Sequence, residues 1–386
     1  MCTLTGSSTT SIRCSSNPLN EVLANLRTQC PVTHSSKHGG FTAALTYDLI
    51  KQILGDHGSY SSAHGIAIPR LTMTGKPPID YDLPLHTTYR RILQRHFTRT
   101  SVAKYDDTLR TLVRQRIEDM LARGEGDLVT DLAHYLPPAA IALILGMPPD
   151  DGLKFVRWLE VMFVAARTGD RESGDRAYRE FQEYIAGQLE QQRAAGADTV
   201  ALAIADGTVD GRPLTPDEQI NMFTILIIAG HETTVHGLSS MLYFLATVDG
   251  LRERLLGEPA LLSRMIDECL RIEAPVVGIA RTALRDTEVV SGGEKVLLVL
   301  NAANHDPAVF SEPAEFRCER DRNPHLAFGY GVHRCVGEHL ALLEMRVVAE
   351  EVLSLLPDYR FAADFRPQWI GGRMTRGIES LPVQLR

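Results

Sequence analysis

Phe328-Gly-Tyr-Gly-Val-His-Arg-Cys-Val-Gly337 sets Cys335 in a glycine-punctuated loop, directly ahead of an apolar helical stretch from Leu340 to Leu356. Gly329, Gly331 and Gly337 permit backbone conformations and close approaches that a Cβ forbids, so a flat, bulky group can lie against the loop. The helix start just after Cys335 offers free N–H groups and the positive end of its dipole, which favour a thiolate over a thiol. A thiolate donating electron density to haem iron is the ligation that promotes O–O cleavage. Two plainer readings stand beside this one. Cys335 is also readable as a small buried hydrophobe, or as part of a zinc site with His333 and His339, for which no second ligand cluster is evident.

The rest of the chain suits a protein built around a bulky group. With 386 residues, 44% of them hydrophobic and 23% charged, it can bury a substantial core. The 40 Lys and Arg against 48 Asp and Glu give a net charge of −8, with no overall basic footprint for nucleic acid or an anionic membrane. Met1 to Asn17 is rich in Ser and Thr and lacks the apolar core of a signal peptide, and no apolar run approaches the roughly 18 residues of a membrane span. The six cysteines form no zinc-type pairs and no disulfide-dense pattern, which suits a reducing compartment with most of them as inert thiols. These features predict a cytoplasmic protein with neither nucleic acid nor membrane as a partner.

Helical periodicity prevails over Leu109 to Leu121, Tyr178 to Gln192, Ile220 to Leu245, Leu261 to Ile272 and Leu340 to Leu356. Strand signals are few: Lys295 to Leu300 is the clearest, and Met374 to Leu385 reads as a hairpin. The fold class expected is therefore mainly α with small β-sheets. No repeat or mid-chain linker divides the sequence, so one domain over 1–386 is expected, with about 1–16 as a flexible tail. Ala63 to Tyr81, with Pro69, Pro77, Pro78, Gly65 and Gly75, reads as a long loop and a candidate substrate lid.

Thr215-Pro-Asp-Glu218 is a capping-box sequence with Pro at the first helical position. At ~1.5 Å per residue, the helix it opens, from Pro216 to about Val248, runs on the order of 50 Å and crosses the domain. Its middle carries Ala229-Gly-His-Glu-Thr-Thr234. Gly230 lowers helix propensity there, and a Thr233 hydroxyl bonded to the Ala229 carbonyl loosens the ladder, opening a small groove for oxygen and water. Glu232 and Thr233 supply the acid and hydroxyl of a proton relay; a satisfied core Glu and a helix-bending Thr are the bland alternative. Glu268-Cys-Leu-Arg271 places opposite charges on one helix face, a spacing that permits an ion pair.

Taken together, these motifs resemble the cytochrome P-450 superfamily. The cysteine loop is similar to its haem-binding signature, Ala229 to Thr233 to its oxygen-activation motif, and Glu268 with Arg271 to its Glu-x-x-Arg pair; the motifs keep the family's order over almost the whole chain. The resemblance implies a soluble, bacterial-type fold with haem b buried between the long central helix and the helix after the cysteine loop. It implies Cys335 as the iron ligand and Ala229, Phe328 and Gly337 as haem contacts. It assigns His86, Arg90, Arg281 and His333 to the haem propionates, for which forked guanidinium and directed imidazole donors are suited. Glu232 and Thr233 become the proton-delivering acid and alcohol, and Glu268, Arg271 and Arg320 a structural triad. Departures fall on the short N-terminal portion and on Asp82-Leu-Pro-Leu-His86, where the family commonly has Asp-Pro-Pro-Glu-His.

The implied activity is insertion of one atom of O2 into a small hydrophobic substrate by a monomeric enzyme of secondary metabolism. No flavin or iron–sulfur motif is visible, so a separate ferredoxin and reductase are expected to supply electrons. A peroxide-driven or non-oxygenating haem-thiolate catalyst is the alternative within enzymes, and a haem-based sensor the alternative outside them. The substrate pocket is expected to draw on Ala63 to Asp80, Trp158 to Ala166, Leu226, Ala229, Val276 to Ile279 and Arg373 to Thr375. These segments are mostly apolar, although Arg70 and Arg373 would allow a carboxylate to be gripped.

Overall fold

The computed structural model describes residues 2–3, 18–70, 75–371 and 374–385. Long helices dominate it. Asp106–Arg123, Arg171–Ala194, Pro216–Thr247, Leu262–Ile272 and Glu338–Leu355 cover the five periodic stretches. The central helix, Pro216–Thr247, starts as its sequence dictates: Thr215 Oγ1 accepts from the Glu218 N–H while the Glu218 carboxylate accepts from the Thr215 N–H. Because Pro216 brings no N–H, two of the three donors stranded at this helix start are thereby satisfied.

The main core gathers around this helix. Met222, Phe223, Leu238, Met241 and Leu242 from it meet Val113 and Ile117 of Asp106–Arg123 and Val347, Val348 and Val352 of Glu338–Leu355, all essentially inaccessible to solvent. Each large aliphatic side chain so buried contributes on the order of 1.5–3 kcal/mol of transfer free energy. Gly230 has a different task from the one its low helix propensity suggests. The central helix runs through it without interruption, and a Cβ there would stand 2.4 Å from Ile141 Cδ1, so glycine lets Leu136–Ile144 approach closely.

Polar contacts fix the helix that follows the cysteine loop. Arg110 bonds to Asp106, Glu350 and Glu351, Arg114 to Glu351, and Arg346 to Asp106 and Glu350. This network clamps Glu338–Leu355 against Asp106–Arg123, and so sets where the loop at its start must lie.

The largest sheet is mixed, in the order Cys2–Thr3, Val32–Ser35, Phe41–Ala44, Lys295–Leu298, Ile279–Ala283, Tyr60–Ser61. The strand expected over Lys295 to Leu300 stops at Leu298, because Leu300–Asn304 turns into a short helix. The hairpin expected over Met374 to Leu385 does not form as such. Arg376–Ile378 pairs with Trp369–Gly371, whereas Pro382–Gln384 pairs with Glu125–Asp127. Asp127 directs that split, accepting from Ser380 Oγ and the Leu381 N–H.

Of the tail expected over 1–16, Cys2–Thr3 pair in parallel with Thr33 and His34, and the remainder lies outside the described residues. Cys30 is disulfide-bonded rather than an inert thiol; Cys269 and Cys318 are free and buried. No single helix among the described residues is long and apolar enough to cross a membrane.

Candidate active site

The loop around Cys335 is held by its own backbone. The Cys335 N–H donates to the Phe328 carbonyl at 2.9 Å, Gly329 N–H to Leu326 and Arg334 N–H to Gly331. Gly329 and Gly331 adopt φ of 71° and 75°, and a Cβ on Gly331 would stand 2.7 Å from the Leu54 carbonyl oxygen, so this glycine is required by the neighbouring helix. Gly337 is different: its φ is −84° and a Cβ would meet only Cys335 Sγ at 3.9 Å. The protein itself therefore makes no conformational demand for glycine there, contrary to the sequence reading.

The Cys335 side chain is accessible. The protein around it nevertheless desolvates the thiol enough to raise its pKa, against the Gly337 N–H and the guanidinium groups of Arg90 and Arg334. Burial thus opposes the preference for a thiolate that the sequence reading drew from the helix start; a metal bound to the sulfur would favour the thiolate. Phe328 packs against the main core. Among the described residues, no group of three or more His, Cys, Asp or Glu converges to hold a metal ion, so the zinc reading of His333, Cys335 and His339 has no geometric support.

Four of the residues assigned to haem carboxylates come together beside this loop. The rings of His86 and His333 lie 4.3 Å apart between centroids. Arg90 Nη2 donates to the Arg334 carbonyl at 2.6 Å, next to the cysteine. Arg281 is buried on the strand Ile279–Ala283, with Nη1 spent on the Ala280 carbonyl. Burial, reinforced by neighbouring cations, pushes His86 down to about 4 and His333 to about 3; desolvation takes Arg281 down to about 10. Asp82 is the acid nearest this set, and its oxygens already accept from Ser61 Oγ and the Ser62 N–H.

A cluster of two guanidinium and two imidazole groups, with His86 and Arg281 buried and His86 Nδ1 lacking a hydrogen-bond partner among the described residues, is a site for external anions. Its donors fit two carboxylates, and the glycine loop beside them fits the face of a planar ring; together they match haem b. Sequence reasoning missed Ser62, whose Oγ lies 3.2 Å from His333 Nε2. Its only signal was proximity to the loop beginning at Ala63.

The expected triad is present, with Glu268 and Arg271 wholly buried and Arg320 at their edge. Glu268 accepts from Arg271 Nε at 2.8 Å and Nη2 at 2.7 Å and from Arg320 Nε at 3.0 and 3.1 Å. The Arg317 N–H and Asn323 Nδ2 add two further donors that the sequence did not reveal. Desolvation pushes the Glu268 carboxyl up, but the hydrogen bonds and charge of Arg271 outweigh it and hold the group below its ordinary pKa.

In the middle of the central helix, Thr233 Oγ1 donates to the Ala229 carbonyl at 2.7 Å, as its position predicts. Ala229 and Glu232 are exposed although buried residues follow directly from Thr234 to Leu242. Glu232 Oε1 accepts from Thr375 Oγ1 at 2.9 Å, and His236 Nε2 lies 3.4 Å away. Those two neighbours hold the carboxyl below its ordinary pKa despite partial desolvation. Among the described residues, no hydrogen bond joins Glu232 or Thr233 to the cysteine loop.

The segments expected to line a substrate pocket fare unevenly. Trp158 turns into an aromatic cluster with Phe155, Phe181 and Tyr184 and donates to Glu180, so it braces two helices instead of facing a substrate. Phe163 and Val164, on the same helix, are exposed. In the loop after Ser62, Lys295 Nζ anchors the His64 and Gly65 carbonyls, and Lys76 and Asp80 are buried. Leu71 to Thr74 and Arg373 lie outside the described residues.

The family model for cytochrome P450 matches residues 147–357. The steroid C26-monooxygenase of Mycobacterium tuberculosis is 35% identical over 364 residues, covering 89% of this chain and 94% of that protein. The polyketide biosynthesis cytochrome P450 PksS of Bacillus subtilis is 31% identical, covering 79% of this chain and 76% of that protein. Among solved structures, CYP109E1 from Bacillus megaterium in complex with testosterone superposes with a TM-score of 0.84 at 25% identity, over 96% of this chain and 99% of that one. A glycine-cradled cysteine, a cluster of arginine and histidine donors beside it and this extent of similarity lead to one assignment: the chain belongs to the cytochrome P450 family and is a haem b monooxygenase.

Proposed function

We propose that this enzyme hydroxylates or epoxidises a neutral or weakly polar hydrophobic molecule of steroid or polyketide size, as a monomeric, cytoplasmic, single-domain catalyst of secondary metabolism. Cys335 is the thiolate ligand of the haem iron; His86, Arg90, Arg281 and His333 bind the propionates; Ala229, Phe328 and Gly337 contact the ring; Glu268, Arg271 and Arg320 are structural. A separate ferredoxin supplies the electrons. The observation that carries this reading is the convergence of two arginines and two histidines beside Cys335, at the start of a helix clamped by its own ion-pair network.

Bound haem supplies the oxygen-activating chemistry. The chain's own residues exclude water, orient substrate and move protons. Glu232, partly exposed and held ionised, takes up a proton at its carboxylate. Thr233, whose own O–H is spent on the Ala229 carbonyl, keeps its lone pairs free to accept a hydrogen bond from the water that carries the proton. The apolar character of the expected pocket segments and the names of the similar proteins support an extended, mostly apolar substrate.

The test is turnover under 18O2 with a ferredoxin, its reductase and a panel of steroids and polyketide lactones that displace the resting absorption of the haem. The expected product carries one labelled oxygen. Products formed without label would overturn the oxygen-insertion reading. In the same assay, Thr233→Ala keeps its haem, since the change raises helix propensity and removes only a hydroxyl and a methyl. Product per electron pair is expected to fall by up to about 10²-fold, the scale of a positioned group in proton transfer, with hydrogen peroxide making up the difference. Undiminished coupling in both Thr233→Ala and Glu232→Gln would remove the relay.

A further inference from the structure

One buried group beside the relay has no role in the account so far. His236 follows Glu232 by one helical turn and is 4% exposed. Its Nε2 is 3.4 Å from Glu232 Oε1, within ion-pair distance but off the hydrogen-bonding direction, and neither ring nitrogen makes a directed hydrogen bond among the described residues.

The ring is fixed from the opposite side by the strand Arg376–Ile378. A Cβ built on Gly377 would stand 2.0 Å from His236 Nδ1, so the glycine exists where the imidazole needs room. The His236 carbonyl accepts from Ser239 Oγ, which in turn accepts from the Ile378 N–H, tying helix to strand at this point. Thr375, just before that strand, donates to the same Oε1 of Glu232 that His236 faces. Helix and strand thus deliver one group each to one carboxylate oxygen.

We propose that His236, wedged in place by Gly377 and assisted by Thr375, is a positioning residue that holds Oε1 of Glu232, leaving Oε2 to take up and pass on protons. This rests on the reading that Glu232 and Thr233 deliver protons. The hydrogen bond from Thr375 and the imidazole packed at ion-pair distance restrict the carboxylate's rotation and keep it ionised, which is what a relay acid needs between turnovers. The ionisable groups facing His236 are Glu232 and His231 on its own helix and His134 beyond Leu128–Ala133. Burial and His134 push His231 down to about 4, and burial together with His236 lowers His134, so both are neutral near pH 7 and leave Glu232 as the charge that His236 senses. From the strand side Thr375 brings no charge, and Arg376 is engaged with Glu273.

The experiment compares wild type with His236→Phe, His236→Gln, Thr375→Val and Glu232→Gln, each as haem-loaded protein, reading product per electron pair across pH. Glu232→Gln removes the acid limb of the profile. His236→Phe is expected to lower coupling several-fold and to move that limb to higher pH, because the lost neighbour no longer favours the carboxylate. Thr375→Val moves it in the same direction, and His236→Gln, which keeps a donor at the same place, recovers most of the coupling. An equal fall in His236→Phe and His236→Gln with the acid limb unmoved would mean that the ring only fills space, and would overturn the proposal. If Glu232→Gln itself leaves coupling and pH profile unchanged, the relay reading fails first, a result distinct from failure at His236 alone. Should His236→Phe not retain haem, the Gln and Thr375→Val profiles carry the same decision.

Discussion

Glu268→Ala is expected to destabilise the fold by about 3–5 kcal/mol, the scale for breaking a buried ion pair by removing one member. The size follows from what is stranded. Arg271 is wholly inaccessible, and it keeps its bonds to the Asn304, Pro313 and Glu315 carbonyls while losing the one carboxylate that neutralises it among the described residues. Arg320 loses the same partner, and the Arg317 N–H and Asn323 Nδ2 lose their acceptors. The hub also joins Leu262–Ile272 to the segment that leads into the cysteine loop, so haem retention should fall with stability. Glu268→Gln, which keeps the shape and some of the acceptors, should lie between wild type and Ala. Urea denaturation with haem absorbance as a second probe measures both; a Glu268→Ala protein with wild-type midpoint and full haem content would show the hub to be dispensable.

The same site predicts a pH dependence. The folded carboxyl of Glu268 is held below its ordinary value of 4.5, so its contribution is fully present above that value and is lost as pH falls from about 4.5 through the lower folded pKa. Wild type should lose stability over that acid range, and Glu268→Gln should lose less of it. Equal acid sensitivity in the two would assign the effect to other carboxylates, such as Glu351 between Arg110 and Arg114.

How much of this was legible in the sequence depended on how local the determinant was. The five long helices carry their period in adjacent residues, and the capping box at Thr215 and Glu218 is written within one turn, so both emerged intact. The bond from Thr233 to Ala229 is likewise local. Non-local choices were not readable. Nothing near Met374 announces that Asp127 takes the last strand away from its neighbour, and nothing at Trp158 says that Phe155, Phe181 and Tyr184 surround it. Gly230 and Gly377 illustrate the same point. Their reasons are Ile141 and His236, residues remote in sequence that occupy the space a Cβ would fill. The cationic cluster, by contrast, came through the family resemblance: His86, Arg90, Arg281 and His333 are scattered along the chain, and no spacing rule collects them.

Cys335→Ser is expected to abolish the red-shifted absorption band of the ferrous carbon monoxide complex and to reduce oxygen insertion below detection. That band reports a thiolate donating electron density to iron, and a serine hydroxyl, harder and far less acidic, does not replace the donation. The surroundings of Cys335 sharpen the expectation. Burial around Cys335 opposes ionisation of the thiol, and an alcohol in the same place, far less acidic, would resist ionisation more. Part of the haem should nonetheless stay bound if, as proposed, His86, Arg90, Arg281 and His333 hold its carboxylates independently of Cys335. The variant should therefore be coloured but spectrally altered, whereas Arg281→Ala should show the opposite pattern, a normal band on a reduced haem content. Cys269→Ser and Cys318→Ser supply the controls: both thiols are buried and pushed above their ordinary pKa by desolvation, and neither substitution should move the band. A Cys335→Ser protein that keeps the red-shifted band would take the ligand role away from Cys335 while leaving the fold and the cationic cluster as described.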